Sequence, residues 1–113
     1  MSAAHESEEL RRIQGEVSTG QHRFTVHSIS RAGAHNLTLD EVEQAVLSSD
    51  ATIIEDYPTD PRGPSCLLYG KTLQGDVVHV VCSTAPGIAV ITCYRPDPSM
   101  WDTDLKTRKR LGP

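Results

Sequence analysis

His27, Arg31 and His35 recur every four residues, so on a helix they project from one side as a stripe able to hold an anion. The same spacing also describes a solvated polar face opposite Ile29 and Ala32. His79 interrupts the apolar run Val77-Val78-His79-Val80-Val81. An imidazole there needs a hydrogen-bond partner or an opening to solvent, either as a satisfied core histidine or as a titratable group lining a cleft. Glu55 and Tyr57 alternate onto one strand face, as do Thr92 and Tyr94. Tyrosines beside an acid can stack a base or contact a sugar, and they equally pack within half-buried sheets. A histidine near its reference pKa of about 6.5 exchanges protons at neutral pH, and an arginine holds phosphate as a planar charged fork.

Other chemistry lacks its pattern. Cys66, Cys82 and Cys93 show no C-x-x-C spacing, no H-E-x-x-H occurs, and the cysteines read as buried strand thiols. No metal and no cofactor is expected. Gly15, Gly20, Gly33 and Gly63 have the wrong spacing for a phosphate cradle, and nucleophile elbows are missing.

The elements that must carry these residues follow from periodicity. A short strand is expected over 22–26, where Phe24 and Val26 alternate with polar neighbours. A first helix over 27–35 contains Gly33 and ends where Asn36 can supply a left-handed residue. Thr38 and Glu41 make a capping box, and Leu39, Val42, Ala45 and Val46 recur at helical spacing, so 38–48 is a helix. The period then changes to two, giving strands over 51–57, 65–72, 77–84 and 88–95. The last two are joined through Ala85-Pro86-Gly87 as a hairpin. If Thr84 faces Ile88, His79 opposes Cys93, and a shift of one residue puts it opposite Thr92. The expected order is β-α-α-β-β-β-β, an α+β domain with two helices on one face of an antiparallel sheet.

At 113 residues there is material for one core. The expected division is a mobile polar tail over 1–21, one domain over 22–104 onto which Trp101 docks, and a basic tail over 105–113. No run approaches the roughly 20 apolar residues of a membrane span, and no signal peptide is visible, so a cytoplasmic protein is expected. Residues 1–60 carry net −7 and residues 61–113 net +3. The net charge of −4 argues against a generic nucleic-acid coat but permits a local basic site.

Taken together, Phe24-Thr25-Val26-His27-Ser28-Ile29-Ser30-Arg31, the helix from Thr38, Ile54-Glu55-Asp56-Tyr57-Pro58, Ser65-Cys66, His79-Val80-Val81, Thr92-Cys93-Tyr94-Arg95-Pro96-Asp97 and Trp101 resemble a DUF4258-type small bacterial domain. That family is similar in pattern to the RelE/ParE and BrnT toxin group. The resemblance covers residues 24–108. It implies a RelE-like fold and a toxin of a type II toxin-antitoxin pair, a metal-independent endoribonuclease with RNA as substrate. The implied partner is a small cognate antitoxin, of zinc-finger or DNA-binding type. The family's signature positions fall on His27, Arg31, Tyr57, His79, Thr92, Tyr94 and Trp101. Where the family tends to have Arg then Gly, this chain has His35 and Asn36. His27, Arg31, His79 and Tyr94 are the candidate catalytic set, expected to converge at one cleft with base and acid unassigned between the histidines. His35, Tyr57, Thr92 and Arg95 are the candidate substrate-binding residues. The alternative is a non-catalytic interaction module or degenerate toxin relative, which the seven carboxylates of residues 40–60, with no Lys or Arg among them, would suit.

Overall fold

The computed structural model describes residues 3–110, with side chains from residue 8 onward. Its elements run α1 (Ala3–Ser18), β1 (Arg23–Phe24), α2 (Val26–Ala34), α3 (Leu39–Leu47), β2 (Thr52–Tyr57), β3 (Ser65–Lys71), β4 (Val77–Ser83) and β5 (Ala89–Tyr94). The strands form one sheet in the order β1-β5-β4-β3-β2. Strands β2 to β5 are an antiparallel meander, whereas β1 runs parallel to β5 through Arg23↔Ala89 and Phe24↔Val90. The fold is therefore α+β, with a mixed rather than purely antiparallel sheet. Among the described residues, no helix is long and apolar enough to cross a membrane.

Local chemistry explains the helix ends. Thr25 caps α2 by accepting from Ser28 N, which starts the helix at Val26 and leaves only two residues for β1. Asn36 takes φ +55°, and Leu37 N donates to Ala32 O at 2.8 Å, the double-bonded close of a helix that needs a left-handed residue. In α3 both bonds of the Thr38/Glu41 capping box form.

Ile13, Val17, Ala32, Leu37, Val42, Ala45 and Val46 pack on one sheet face, made of Cys66, Leu68, Val78, Val80, Cys82, Val90 and Cys93. Thus the segment expected to be a polar tail over 1–21 is, in its described part, a helix docked on this core. Leu10, Ile13 and Val17 supply a stripe at i, i+3 and i+7, and Ile13 is fully buried. Gln14 Nε2 donates to Val46 O at 2.9 Å, and His22 Nε2 meets the Glu43 carboxylate. The approach of α3 to the sheet is tightest at Gly70, where a Cβ would lie 1.9 Å from Ala45 O.

The β4–β5 register differs from both sequence expectations. Val81 pairs with Thr92 but Cys82 pairs with Val90, so Ile91 is an extra residue in a bulge. The bulge sets His79 opposite Tyr94, on the sheet face away from the helices.

Candidate functional site

Period-two alternation sends His79, Val81 and Ser83 of β4 to the second face, in rows with Tyr69, Leu67 and Ser65 of β3. Glu55 and Tyr57 of β2 join the rows of Leu67 and Ser65. One half of this face is roofed and the other is an open groove.

The roof is the chain after β5, expected to be a free basic tail from residue 105. Instead it turns back and docks. Trp101 is 4% exposed, bridges to Arg108 and meets the His79 ring edge-on at 4.5 Å between centroids. The intervening turn is tied by Asp104, whose carboxylate accepts from Lys106 N at 2.9 Å and Thr107 N at 3.1 Å. Leu105 adopts φ +57°, and its carbonyl accepts from His79 Nε2 at 2.6 Å. That bond leaves Nδ1 as the acceptor, which the Tyr94 hydroxyl approaches at 3.4 Å. His79 is fully buried, and burial lowers its pKa, so the neutral ring is favoured. Burial likewise raises the Tyr94 phenol.

The roof is anchored at its far end by charge. Arg108 donates to Glu55 through Nε at 2.7 Å and a terminal nitrogen at 3.0 Å, and its guanidinium lies 4.6 Å from the Trp101 ring centroid. The Arg108 bonds hold the Glu55 carboxyl below the usual carboxylate range. Tyr57 also donates to Glu55, and burial together with that acceptor pushes its phenol up to about 12. Lys106 lies 4.7 Å above the Tyr69 ring.

The open half is a groove of about 600 Å³ floored by Val81, Ala89 and Ile91. His27 lines it together with Arg23, Tyr57, Arg62 and Thr92. Its rim over residues 85–87 is held by α1. The Glu16 carboxylate accepts from Gly87 N at 2.9 Å and Ile88 N at 3.2 Å, while Arg12 donates to Thr84 O.

At the other end of α2, a nitrogen of the Arg31 guanidinium lies 2.9 Å from His35 Nε2, and Arg95 N donates to His35 Nδ1 at 3.1 Å. Arg95 also donates to His35 O at 2.9 Å and Asn36 O at 3.3 Å, and pairs with Asp76 at 3.4 Å. Burial, followed by the two arginines, lowers the His35 pKa.

The candidate residues therefore occupy three adjoining places. His27, Tyr57 and Thr92 line the groove; Arg31, His35 and Arg95 form a cluster at the end of α2; His79 and Tyr94 lie under the roof. The groove is not lined by Arg31, His79 or Tyr94. The His35 and Tyr94 rings, 6.3 Å apart, link the cluster to the roofed half. Sequence reasoning passed over Arg23, Arg62 and the Glu55–Arg108 pair. For Arg62 and Arg108 the signal was the excess of positive charge after residue 60, and Arg23 had none. Among the described residues, no three His, Cys, Asp or Glu side chains converge as a metal site.

Residues 24–95 match the family described as "Domain of unknown function (DUF4258)". No curated protein and no solved structure matches the chain.

Proposed function

The chain belongs to the DUF4258 family, and from that premise we propose that it is the toxin of a toxin-antitoxin pair, a metal-independent endoribonuclease that takes single-stranded RNA into the groove. The observation that carries this reading is the exposed His27 imidazole lining a groove shared with two arginines, Arg23 and Arg62, on a protein of net charge −4. Cationic forks that flank a sheet face suit a phosphodiester strand, for which Arg62 would exchange the Asp60 carboxylate that it meets at 3.4 Å in the same groove, and Tyr57 adds an aromatic surface for a base.

In this reading His27 removes the proton of a 2′-hydroxyl as that oxygen bonds to phosphorus. The P–O5′ bond breaks, the guanidinium groups offset the charge gathered on the phosphoryl oxygens, and the leaving oxygen takes a proton from solvent. The products are a 2′,3′-cyclic phosphate and a 5′-hydroxyl. His79, buried and bonded at Leu105 O, touches no substrate and instead fixes the Tyr94 hydroxyl. The proposed site of action is the cytoplasm, and the proposed partner is a small antitoxin of zinc-finger or DNA-binding type.

A second reading, a binding module without catalysis, is favoured by Val26 and Ile29, which are 86% and 49% exposed on α2. One experiment separates the two. The purified chain is incubated with a single-stranded RNA in excess EDTA, and the ends are analysed. Cyclic phosphate ends are expected, with the rate falling at least about 100-fold in folded His27→Ala. An His27→Ala protein that cleaves like its parent sinks the catalytic assignment, and a parent that neither cleaves RNA nor arrests growth on expression favours the binding module.

A further inference from the structure

The cluster at the end of α2 contains a hydrogen-bonding mismatch. A neutral imidazole has one N–H and one lone pair. His35 is approached by a donor at each nitrogen, Arg95 N at 3.1 Å from Nδ1 and Arg31 at 2.9 Å from Nε2. No tautomer satisfies both, and protonation would set an N–H against each donor. Arg95 N belongs to the main chain just beyond β5 and cannot turn away. Nδ1 is therefore its acceptor and Nε2 carries the hydrogen. That N–H then faces a guanidinium, which only donates.

Among the described residues, the Arg31 guanidinium has no hydrogen-bond acceptor other than His35 Nε2 to resolve this conflict. The Asp76 carboxylate pairs with Arg95, and among the described residues no carboxylate forms a salt bridge with Arg31. Both Arg31 and His35 are partly exposed, so a solute can reach them. From this geometry we infer that Arg31 and His35 form a binding site for one phosphoryl group, lying beside the groove. The Arg31 fork takes two oxygens and His35 Nε2–H a third. A carboxylate in the fork would have to share one of its two in-plane oxygens with the imidazole, whereas a tetrahedral phosphoryl group offers a separate third oxygen. The inferred site rests on the RNA reading only for the source of its ligand, a backbone phosphate of the same strand. The other source with this chemistry is free phosphate.

The probe is inorganic phosphate titrated into ¹⁵N-labelled protein, read at the histidine ring nitrogens. The expected result is a saturable shift of His35 Nε2 with Nδ1 keeping its acceptor signature. Arg31→Gln weakens binding at least tenfold, and the control Arg11→Gln, at an exposed arginine of α1, leaves it unchanged. No saturable His35 shift, or equal affinity in folded Arg31→Gln, overturns the site. In a second arm a short oligouridylate is added. Displacement of phosphate from His35 assigns the site to the RNA backbone. Phosphate binding that the oligonucleotide leaves undisturbed assigns the site to free phosphate, and oligonucleotide that binds nowhere removes the RNA reading while the phosphoryl site stands.

Discussion

The two faces of the sheet use the same strands for opposite purposes. Toward the helices, Cys66, Leu68, Val78, Val80, Cys82, Val90 and Cys93 are 0–1% exposed and need nothing but packing. Burial pushes the Cys66 thiol up to about 12 and raises Cys82 and Cys93 as well, so all three stay protonated and inert there. On the other face the alternate residues are His79, Tyr94, Tyr57 and Glu55, and every one needs a hydrogen-bond partner. Tyr57 and Tyr94 find theirs on the face itself, in Glu55 and His79, but those two in turn depend on partners from far along the chain, Arg108 and Leu105. A dry face can be specified by its own residues, whereas a polar face depends on the segment that returns to complete it.

The largest test of that contrast is at Gly70, on the dry face. A Cβ there would sit 1.9 Å from a backbone oxygen of α3, and neither a rotamer change nor a flexible side chain can relieve that contact. Gly70→Val should not fold to a cooperative native state, and Gly70→Ala should lose about 3 kcal/mol or more in urea unfolding. A Gly70→Ala midpoint close to the parent's would mean that α3 does not pack as described.

Next in size is Trp101→Ala on the polar face, which should cost about 3 kcal/mol through lost packing on His79. The loss should also uncover His79 and the Tyr69 ring, which Lys106 covers. Amide exchange should therefore rise over residues 100–110 and at the middle of β4 while α3 stays protected. Uniform loss of protection would show that the two faces are not separable.

How much was legible follows the same division. The α3 cap and stripe, the four-strand meander, the left-handed Asn36 and the docking of Trp101 all rest on local pattern or on a lone large apolar residue. Helix α1 was obscured because only Leu10, Ile13 and Val17 mark its buried side, and Glu16 finds its partners 71 and 72 residues away. The parallel pairing of β1 involves two residues, too few for any period. The bulge at Ile91 adds a single residue, yet it changes the residue opposite His79. The basic run of residues 106–110 looked like a solvated tail because charge counts do not reveal that Arg108 meets Glu55 across 53 residues. The groove gathers Arg23, His27 and Arg62 from three separate segments, an arrangement with no signature in spacing.

The smallest expected effect concerns that same ion pair and its pH window. Arg108, whose own pKa is raised chiefly by its bond to Glu55, stays charged throughout the acid range. The Glu55 pKa is lowered from its ordinary value of 4.5, chiefly by the Arg108 hydrogen bonds. A carboxylate depressed in the folded state contributes stability that is fully present above its unfolded pKa and disappears as pH falls through the folded one. The anchor should therefore hold above the ordinary carboxylate value of 4.5 and weaken as the pH falls below it, and Trp101 fluorescence should report the loosening of the roof. With Arg108 53% exposed, the pair should contribute no more than roughly 1 kcal/mol. Arg108→Gln removes the charge that the carboxylate holds, so the Glu55-linked step should disappear from the fluorescence profile, and the groove's Tyr57 should lose a neighbour without losing its bond to Glu55. An unchanged transition in Arg108→Gln would show that Trp101 packing alone holds the roof, leaving the polar face as self-sufficient as the dry one.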